Sequence, residues 1–320
     1  MELSIIIVNW NSVDYLRECL SSIYEFTRDV EFEVIIVDNA SPEPNVDELL
    51  KEFPAVKIEK SVRNLGFAGA NNLGFIKSAG EFVLFLNPDT KLISPAIRDL
   101  MEKIKTLPDA GVVGCKLLNS DRSTQLSSIQ KFPKILNQVL DIDFLQQRWP
   151  GCPLWDISPL FLNKPEVFKV EMISGACMLL RRSVFVQVGM FSEEYFMYAE
   201  DIDLNYKVHR AGFQNYYVAS SSVIHHGGGS SSRQRVSQWK TLMKYRAMRM
   251  YYRKMYGGSY EGVYRVSMGC SAALRLVLLG FLFPVSVVLR RKEAVLAAAG
   301  KWSTIFKWAV GWQQITPEGK

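Results

Sequence analysis

Short aliphatic runs alternate with segments of helical periodicity over the first 118 residues of the chain. Five runs rich in Val, Ile, Leu and Phe are typical of buried parallel strands: residues 4–8, 34–37, 56–58, 82–86 and 111–118. Helical spacing predicts three helices, one after the N-cap Ser12, one over residues 67–79 and one from Ser94 to about residue 106. This order predicts an α/β fold on a mostly parallel sheet with right-handed crossovers.

The pattern is irregular over residues 119–170, which contain five prolines and the aromatic residues Trp149, Trp155 and Phe161. A loop on the substrate side and a simple surface excursion are both open for this region. Regular structure returns with a strand at residues 176–180, helices at residues 182–188 and 201–211, and a glycine stop at Gly212. A further strand leads from residue 214 to His225.

Polar side chains follow each of the first strands at the point where it ends. They are Asn9, Asp38, the loop at residues 63–66, Asn87 and Asp89. Ligands of open α/β sheets bind beyond the carboxyl ends of the strands. Four polar strand ends together therefore predict a binding site better than they predict ordinary loop chemistry.

Composition and charge narrow the class of protein. Of the 320 residues, 48% are hydrophobic, which is enough for a packed core and argues against disorder. Five scattered cysteines without a CxxC pair, and no secretory leader before the first strand, predict reduced thiols in a cytoplasmic protein. From residue 233 onward, sixteen lysines and arginines face three acids, a formal charge of +13, whereas the preceding part carries −7. The basic region is expected to meet an anionic surface.

Two segments contain candidate ligands for a divalent cation. Asp89, in "NPD", is a carboxylate at a strand end, which suits Mg²⁺ or Mn²⁺ bound to a diphosphate, although a plain Asx turn is the alternative. His225 opens "HHGGGSS", where imidazole suits an Mn²⁺-like ion and the glycines suit a closing loop. A surface turn with incidental histidines remains the alternative there.

Two further segments contain candidate acid–base and phosphate-binding groups. Glu200 and Asp201 begin a helix after the aromatic run "EEYFMYA", so one carboxylate could accept a proton, or both could simply favour the helix dipole. The segment "RNLGFAGANNLG" lacks the spacing of a dinucleotide or P-loop motif. Its small residues let a helix N-terminus approach a diphosphate, with Arg63 and Asn64 as donors, or else serve close packing.

As an ordered set these segments resemble the family-2 glycosyltransferases of GT-A fold. The resemblance covers about residues 3–256, and the matching segments are "SIIIVNWNSVDYLRECLSSI", "VIIVDNAS", "RNLGFAGANNLGF", "FLNPDT", "SGACMLLRR", "GMFSEEYFMYAEDIDLNYKVHRAG" and "HHGGGSS". The branch that they resemble is rhamnosyltransferase-like, from bacterial O-antigen and cell-wall polysaccharide synthesis. Two other functions are alternatives for this chain. One is a nucleotidyltransferase on a similar sheet, and the other is a non-catalytic membrane-bound scaffold that keeps only nucleotide binding.

The resemblance assigns a role to each site residue. It implies that Asp38 contacts the nucleobase or ribose of the donor with help from Asn9 and Asn64, and that Arg63 and Gly66 lie near the diphosphate. Asp89 takes the metal-binding place of a DxD-like motif, in which Asn87 replaces the first acid. Asp201 would be the general base, Glu200 would orient the acceptor, and His225, rather than His226, would be the metal-side histidine.

The resemblance also implies the reaction and its partners. It implies an inverting transfer, with rhamnose as the first expectation, from thymidine-diphosphate rhamnose or a uridine-diphosphate hexose to a lipid-linked or polysaccharide acceptor. The cofactor would be Mg²⁺ or Mn²⁺, and the location would be the cytoplasmic face of the bacterial inner membrane, peripheral or monotopic. No nucleic-acid motif accompanies the basic charge, so nucleic acid is not an expected partner.

The C-terminal part is predicted to be a helical, membrane-associating extension over residues 233–320, after a catalytic domain over residues 1–232. Residues 266–289 are mostly apolar and are followed by Arg290, Arg291 and Lys292. Because both flanks are basic, a re-entrant or in-plane segment is favoured over a span. A buried hairpin and a subunit interface of a homo-oligomer remain alternatives. Aromatic and basic residues are predicted as anchors at the lipid surface: Trp302, Phe306, Trp308, Trp312, Lys301 and Lys307.

Overall fold

The computed structural model describes residues 1–42, 45–152, 155, 157, 160, 166–227, 238–290 and 292–313. The chain forms two compact units. The first consists of Met1–Phe132, Phe144–Phe196 and Glu200–Arg233, and the second of Pro133–Asp143, Met197–Ala199 and Gln234–Lys320. The predicted domain boundary at residue 232 lies outside the described residues. Residues 133–143, which fall inside the predicted first domain, group with the second unit.

The described residues form strands and helices close to the predicted ones. The strands are β1 Leu3–Asn9, β2 Phe32–Asp38, β3 Lys57–Lys60, β4 Phe82–Leu86, β5 Thr90–Leu92, β6 Ala110–Leu118, β7 Ile129–Gln130, β8 Val167–Val170, β9 Met172–Ile173, β10 Cys177–Arg181 and β11 Gln214–His225. The helices are α1 Val13–Phe26, α2 Leu49–Glu52, α3 Gly66–Ile76, α4 Ala96–Thr106, α5 Ile135–Leu140, α6 Ile142–Arg148, α7 Arg182–Gln187, α8 Glu200–Arg210, α9 Gln238–Tyr256, α10 Gly258–Val288 and α11 Lys292–Ala309.

The first unit is built on one mixed sheet with the order β3-β2-β1-β4-β10-β6-β11-β5, and β8 pairs with β11. The first four of these strands are parallel to one another, as predicted, and β6 is parallel to β11. Six of the nine strands in the sheet point the same way, as predicted. The sheet is nevertheless mixed, because β10 runs antiparallel between β4 and β6 and because β5 and β8 are antiparallel to β11. The sequence did not reveal this reversal, because a buried strand is a continuous apolar run in either direction.

Both faces of the sheet are covered, which explains why its central strands are apolar throughout. On one face, Ile5 and Ile7 of β1 pack with the apolar sides of α1 and α4. On the other face, Ile6 packs with Phe85 and Phe185. Helix α3 lies especially close to the sheet, since a Cβ on Gly74 would meet Ile6 Cγ2 at 2.6 Å. This close approach brings the N-terminus of α3 to the carboxyl ends of β1 and β2.

The five cysteines are free, as predicted. Cys115 and Cys177 are buried side by side in the sheet, with their sulfur atoms 3.8 Å apart. Burial raises the pKa of the Cys19 thiol to about 12, and the hydrogen bond with Cys115, followed by burial, raises the pKa of Cys177. Cys19 and Cys177 therefore remain protonated core residues rather than nucleophiles.

The second unit is helical, and α9, α10 and α11 pack against one another around buried aromatic rings. Tyr252 and Tyr264 lie 4.7 Å apart, and Tyr264 and Trp308 lie 5.9 Å apart between ring centroids. Trp302 and Trp308 are buried, so their prediction as lipid anchors is wrong. The guanidinium of Arg275 in α10 lies 4.3 Å from the centre of the Trp302 ring in α11, so this tryptophan contributes to the packing of the two helices. Trp312 is exposed, and its anchoring role stays a prediction.

Helix α10 is long and apolar enough to cross a membrane by length and composition alone, and among the described residues it is the one helix with this property.

Candidate active site at the strand ends

Asp38 is fixed at the end of β2 by its neighbour at the end of β1. The parallel register pairs Asn9 with Asp38, and the Asn9 amide donates to the Asp38 carboxylate at 2.9 Å. The same amide group reaches the hydroxyl of Ser41 at 3.2 Å, and the backbone N–H of Ser12 donates to Asn9 Oδ1. Both side chains are buried. The structure thus brings together two of the predicted nucleotide-binding residues in one hydrogen-bonded pair.

Asn39 connects the loop at residues 63–66 to the end of β2. Its amide donates to Asn64 Oδ1 at 2.9 Å, and its Oδ1 accepts the backbone N–H of Leu65 at 2.7 Å. The N–H of Gly66 also donates to Asn64 Oδ1. Asn64 therefore has a clear function in shaping this loop, whereas the predicted Arg63 is exposed. The sequence analysis assigned no role to Asn39, although its side chain makes most of the hydrogen bonds in this connection.

Gly66 occupies a position that a larger residue could not take. Its φ is +72°, and an added Cβ would lie 2.1 Å from the backbone oxygen of Phe196. The next N–H, that of Phe67, donates to this same oxygen at 3.0 Å. Close packing, one of the two alternatives for this segment, is thus realised at Gly66, and its predicted contact with a diphosphate remains a proposal.

A tight turn after β4 presents Asn87 and Asp89. The hydroxyl and the backbone N–H of Thr90 both donate to the backbone oxygen of Asn87, at 2.7 and 3.2 Å. The N–H of Asn87 donates to the oxygen of Ala176 at 3.0 Å, which ties the turn to the segment before β10. Asp89 is buried at the end of this turn. Its burial is not what a surface Asx turn would give.

His225 lies against this turn because β11 pairs with β5. The register places His225 opposite Thr90, and its Nε2 lies 3.3 Å from Asp89 Oδ1 and 3.2 Å from Asn87 Nδ2. The structure thus brings Asp89, Asn87 and His225 together, as the sequence predicted. The rest of the "HHGGGSS" motif after Gly227 lies outside the described residues.

His226 faces a different group of side chains. Its Nδ1 lies 2.8 Å from the hydroxyl of Ser120, its Nε2 lies 3.5 Å from a Glu18 oxygen, and its ring lies beside Tyr15. Its backbone N–H donates to the backbone oxygen of Asp89, but its imidazole points elsewhere. This arrangement supports the choice of His225 over His226.

Gln125 holds the imidazole of His225 in one orientation, and the sequence analysis did not identify it. Gln125 Nε2 donates to Asn119 Oδ1 at 3.1 Å and to the backbone oxygen of His225 at 3.3 Å. Its Oε1 therefore faces His225 Nδ1, at 2.8 Å, and accepts the ring proton there. In this tautomer Nε2 presents a lone pair towards Asp89. No local signal marked Gln125, because it lies in an irregular segment.

These side chains fit a divalent cation. Asn87 Oδ1 is buried without a hydrogen-bond partner, and Nε2 of His225 faces a carboxylate. A cation would satisfy both, and an imidazole oriented through its other nitrogen is the usual form of a metal-binding histidine. Within the described part of the chain, no group of three or more His, Cys, Asp or Glu side chains gathers at one point.

Glu200, which is buried, and Asp201, which is half-buried, form an acidic pair at the start of α8. Asp201 accepts the backbone N–H groups of Gly175 at 3.1 Å and of Ile202 at 2.8 Å. Glu200 is buried and its Oε2 lacks a hydrogen-bond partner. Burial, followed by the charge of Asp201, raises the pKa of Glu200 to about 8, and burial raises that of Asp201. Glu200 therefore stays largely protonated at neutral pH, which suits it to donate a hydrogen bond rather than to accept a proton.

The third acid of this helix is structural. Asp203 is fully buried, accepts the hydroxyl of Ser192 at 2.5 Å and lies 3.3 Å from the Lys207 ammonium. Decoration of the helix dipole does not explain α8, since both Glu200 and Asp203 are buried rather than exposed at its first turn.

One short turn connects the acidic pair to the Asn87 turn. Gly175 donates its N–H to Asp201, and the next residue, Ala176, accepts the N–H of Asn87. The predicted metal-side residues and the predicted base are therefore held on two sides of residues 174–176. A mixed α/β sheet with carboxylates gathered beyond its strand ends fits the GT-A fold that the sequence resembles.

Comparison with known proteins identifies the family. A model of glycosyl transferase family 2 matches residues 4–189, and the chain belongs to this family. The N-acetylglucosaminyl-diphospho-decaprenol L-rhamnosyltransferase of Mycobacterium tuberculosis (strain H37Rv) is 30% identical over 227 residues, which cover 68% of this chain and 73% of that protein. Rhamnosyltransferase WbbL of Escherichia coli K12 is 25% identical, covering 67% of this chain and 79% of that protein. The chain is thus a glycosyltransferase of the rhamnosyltransferase-like kind.

A solved structure confirms the fold. The mannosyltransferase PcManGT of Pyrobaculum calidifontis, in complex with GDP-mannose and Mn²⁺, superposes with a TM-score of 0.53 at 14% identity. The superposition covers 94% of this chain and 87% of that one. The GT-A architecture expected from the sequence is therefore confirmed.

We expect Gln125→Ala to weaken Mn²⁺ binding. Without Gln125 the imidazole of His225 is free to rotate or change tautomer, and loss of such an orienting partner typically costs about 10–100-fold in metal affinity. Titration calorimetry with Mn²⁺ in the presence of a nucleoside diphosphate measures the change. Gln187→Ala, at an exposed position of α7, is the matched control. Equal Mn²⁺ affinity of the Gln125→Ala variant and the wild type would show that Gln125 does not position a metal ligand.

We expect Glu200→Gln to change how stability depends on pH. Folding stability derived from the protonated Glu200 is complete below its ordinary pKa of 4.5 and is lost as pH rises through about 8, because the folded state must then ionise a buried group. The variant lacks this loss. Thermal denaturation across that range should therefore show its Tm rising relative to wild type at high pH, by roughly 2–4 °C for each kcal/mol. Glu25→Gln, exposed on α1, should follow wild type, and parallel curves for all three proteins would contradict the assignment.

Proposed function

We propose that this glycosyltransferase moves rhamnose, or alternatively a hexose, from a nucleoside-diphosphate sugar to a lipid-linked glycan acceptor in bacterial envelope synthesis. The observation that carries this proposal is the turn at residues 174–176, which holds Asp201 on one side and the Asn87 turn on the other. The name of the mycobacterial relative supports both rhamnose and a polyprenyl-diphosphate acceptor. Thymidine-diphosphate rhamnose is the first choice of donor and a uridine-diphosphate hexose the second.

The nucleoside would bind at the ends of β1 and β2. Asp38, held by Asn9, offers carboxylate oxygens to the ribose or base. Arg63 is exposed and therefore available to the diphosphate beside the N-terminus of α3. The first two N–H groups of this helix, at Gly66 and Phe67, already donate to Asn64 and Phe196. Asn64 makes hydrogen bonds that shape this loop. Its role in binding would therefore be to hold Arg63 and the start of α3 in position.

Asp89, His225 and the amide oxygen of Asn87 would hold Mg²⁺ or Mn²⁺. A bound divalent cation neutralises charge on the departing diphosphate. The residues of the chain contribute the orientation of this corner: Thr90 closes the turn and Gln125 fixes the imidazole.

Asp201 would act as the general base. Two backbone N–H groups fix its carboxylate, and its raised pKa makes it a better proton acceptor than an exposed aspartate. It takes the proton of the acceptor hydroxyl as the hydroxyl oxygen bonds to the anomeric carbon, and the bond from that carbon to the diphosphate breaks on the opposite face. The configuration is therefore inverted. Neutral Glu200, with its unpaired oxygen, can hydrogen-bond the acceptor and orient it.

Because the proposed acceptor is lipid-linked, we infer that the enzyme works at the cytoplasmic face of the bacterial inner membrane. The lipid-linked substrate in the name of the mycobacterial relative, the apolar helix α10 and the basic C-terminal region support this location. The nucleotidyltransferase and scaffold alternatives lose their basis with membership of family 2. A homo-oligomer stays an untested prediction.

We expect Asp201→Asn to lose turnover while it retains donor binding. The amide preserves the shape and one of the two backbone contacts, because its NH₂ group cannot accept an N–H. It cannot take the proton of the acceptor hydroxyl, so kcat should fall about 10²–10⁴-fold. Donor affinity is measured by calorimetry and turnover by transfer assay. Asp14→Asn, at an exposed position of α1, is the control. Wild-type turnover in the Asp201→Asn variant would show that another group is the base.

We expect thymidine-diphosphate rhamnose to stabilise the protein more than other nucleotide sugars do. A ligand that binds only the folded state raises Tm, by about 2.7 kcal/mol of stability at a hundredfold excess over its Kd. A panel of nucleotide sugars, each with and without Mn²⁺, followed by transfer to a polyprenyl-diphosphate-linked N-acetylglucosamine acceptor, identifies donor and acceptor. Transfer only from a uridine-diphosphate sugar would select the second choice, and no transfer to any lipid-linked acceptor would contradict the proposal.

A further inference from the structure

Helix α10 exposes apolar side chains along one side for most of its length. Starting at Val263, steps of three and four residues lead to Val266, Cys270, Leu274, Val277 and Phe281, all exposed. The same steps continue to Val288. Residues spaced in this way lie on one face of a helix. This lateral stripe runs from Val263 to Val288, a distance of about 38 Å at the rise of an α-helix.

The opposite side of α10 is committed to packing within the second unit. Tyr264, Met268 and Ala272 are fully buried there. Polar groups on this side have partners inside the unit, since Arg265 donates to the oxygen of Ala309 at 2.9 Å and Arg275 donates to the oxygen of Val139 at 2.9 Å. Up to about residue 275, helix α10 therefore has one side packed on other described residues and one exposed apolar side. From Val277 to Val288 nearly all of its side chains are exposed.

We propose that the lateral stripe seats α10 flat in the surface of an anionic lipid leaflet. From Gly262 to the end of α10, all of which the structure describes, no exposed side chain is charged. Arg290 and Lys292 are exposed directly after it, as are Arg253 and Lys254 at the end of α9. An uncharged stripe beside exposed cations matches the acyl boundary and the anionic headgroups of a leaflet.

A membrane span is a poorer fit to α10. A span would surround the helix with lipid, whereas Arg265 and Arg275 are held inside the unit through contacts with α11 and the segment around Val139. It would also leave one side of α10 without the aromatic packing of Tyr264 and Trp302. In the flat arrangement all of these contacts persist.

A second copy of the chain is also a poorer fit to the stripe. Its steps of three, four and four residues repeat every eleven residues, so they do not form the seven-residue repeat of a left-handed coiled coil. The region from residue 233 onward has a formal charge of +13, and two such regions repel one another, whereas an anionic leaflet attracts each of them.

The proposal deepens the membrane location given above, and its test is binding to vesicles. The full chain is sedimented with phosphatidylcholine vesicles, with and without phosphatidylglycerol. We expect binding that increases with phosphatidylglycerol and falls about tenfold or more in Val277→Asp, because an apolar contact is lost and a like charge is added. Val186→Asp is the matched control, since Val186 is 55% exposed on α7 and Val277 is 56% exposed.

A second variant and a second measurement guard against misfolding. Phe281→Ser should weaken binding in the same direction without adding a charge. Donor hydrolysis in the same preparations should be unchanged in both variants, which separates failure of this inference from failure of the proposed sugar transfer. Equal vesicle binding by Val277→Asp and Val186→Asp would overturn the proposal, as would a wild-type dimer that Val277→Asp dissociates.

Depth measurement distinguishes a flat helix from a span. A fluorescent probe is attached to Cys270, or to a cysteine introduced by Val263→Cys or Phe281→Cys. Cys152→Ser removes the other accessible thiol, and Cys270→Ser is added for the probes at 263 and 281. Quenching by lipids brominated at different depths should place all three probes at the same shallow level. In a span, the probes at 263 and 281 would differ in depth by about 27 Å, and that result would overturn the flat arrangement.

Discussion

The antiparallel pairing of β10 with β4 is the constraint on which the rest of the site depends. Cys177, the first residue of β10, lies opposite Leu86, the last residue of β4, so the turn before β10 lies beside the end of β4. From there Ala176 accepts the N–H of Asn87 and Gly175 donates to Asp201. A parallel β10 would bring its other end to this edge of the sheet. The reversal therefore joins the start of α8, far along the chain, to the turn that contains Asp89.

The same edge of the sheet accumulates buried acids, which is unfavourable for the free protein. Asp38, Asp89, Glu200 and Asp201 lose much of their hydration there, and burial of a charge is costly unless it is paired or hydrogen-bonded. Three features of the structure reduce this cost of burying acidic groups. Asn9 donates to Asp38, backbone N–H groups hold Asp201, and Glu200 keeps its proton to higher pH. Retaining such groups in a stable core is consistent with a catalytic use.

Local patterns were enough to predict most of the fold. The strand at residues 82–86 has the predicted bounds. The buried side of α1 contains the apolar residues that recur at helical spacing after Ser12, namely Val13, Leu16, Leu20 and Ile23. The direction of β10 was not predictable, because a strand covered on both faces has no alternation that records its neighbours. Trp302 and Trp308 were assigned to lipid because composition alone does not distinguish a buried aromatic helix from an interfacial one.

Prediction of the site depended on how far each residue's function is local. Asp89, Asp201 and His225 stand in recognisable segments, and the structure holds Asp89 beside His225. Gln125 and Asn39 act through contacts with residues 100 and 25–26 positions away, which no local pattern encodes. Gly66 shows the converse, since its φ of +72° and its contact with Phe196 are enough to require glycine without any ligand.

The amide at position 87 explains how this corner is stable with one carboxylate. Asn87 Nδ2 donates to the lone pair of His225 Nε2, while its Oδ1 is buried and unpaired. An aspartate at this position would offer only acceptors, so Nε2 would face two carboxylates without a donor. In the free protein the amide thus satisfies the histidine and lowers the negative charge around Asp89. A cation at this corner would use the Nε2 lone pair instead, and the amide still presents an oxygen to it. A single acid with an oriented imidazole is therefore a coherent binding corner rather than an incomplete acidic pair.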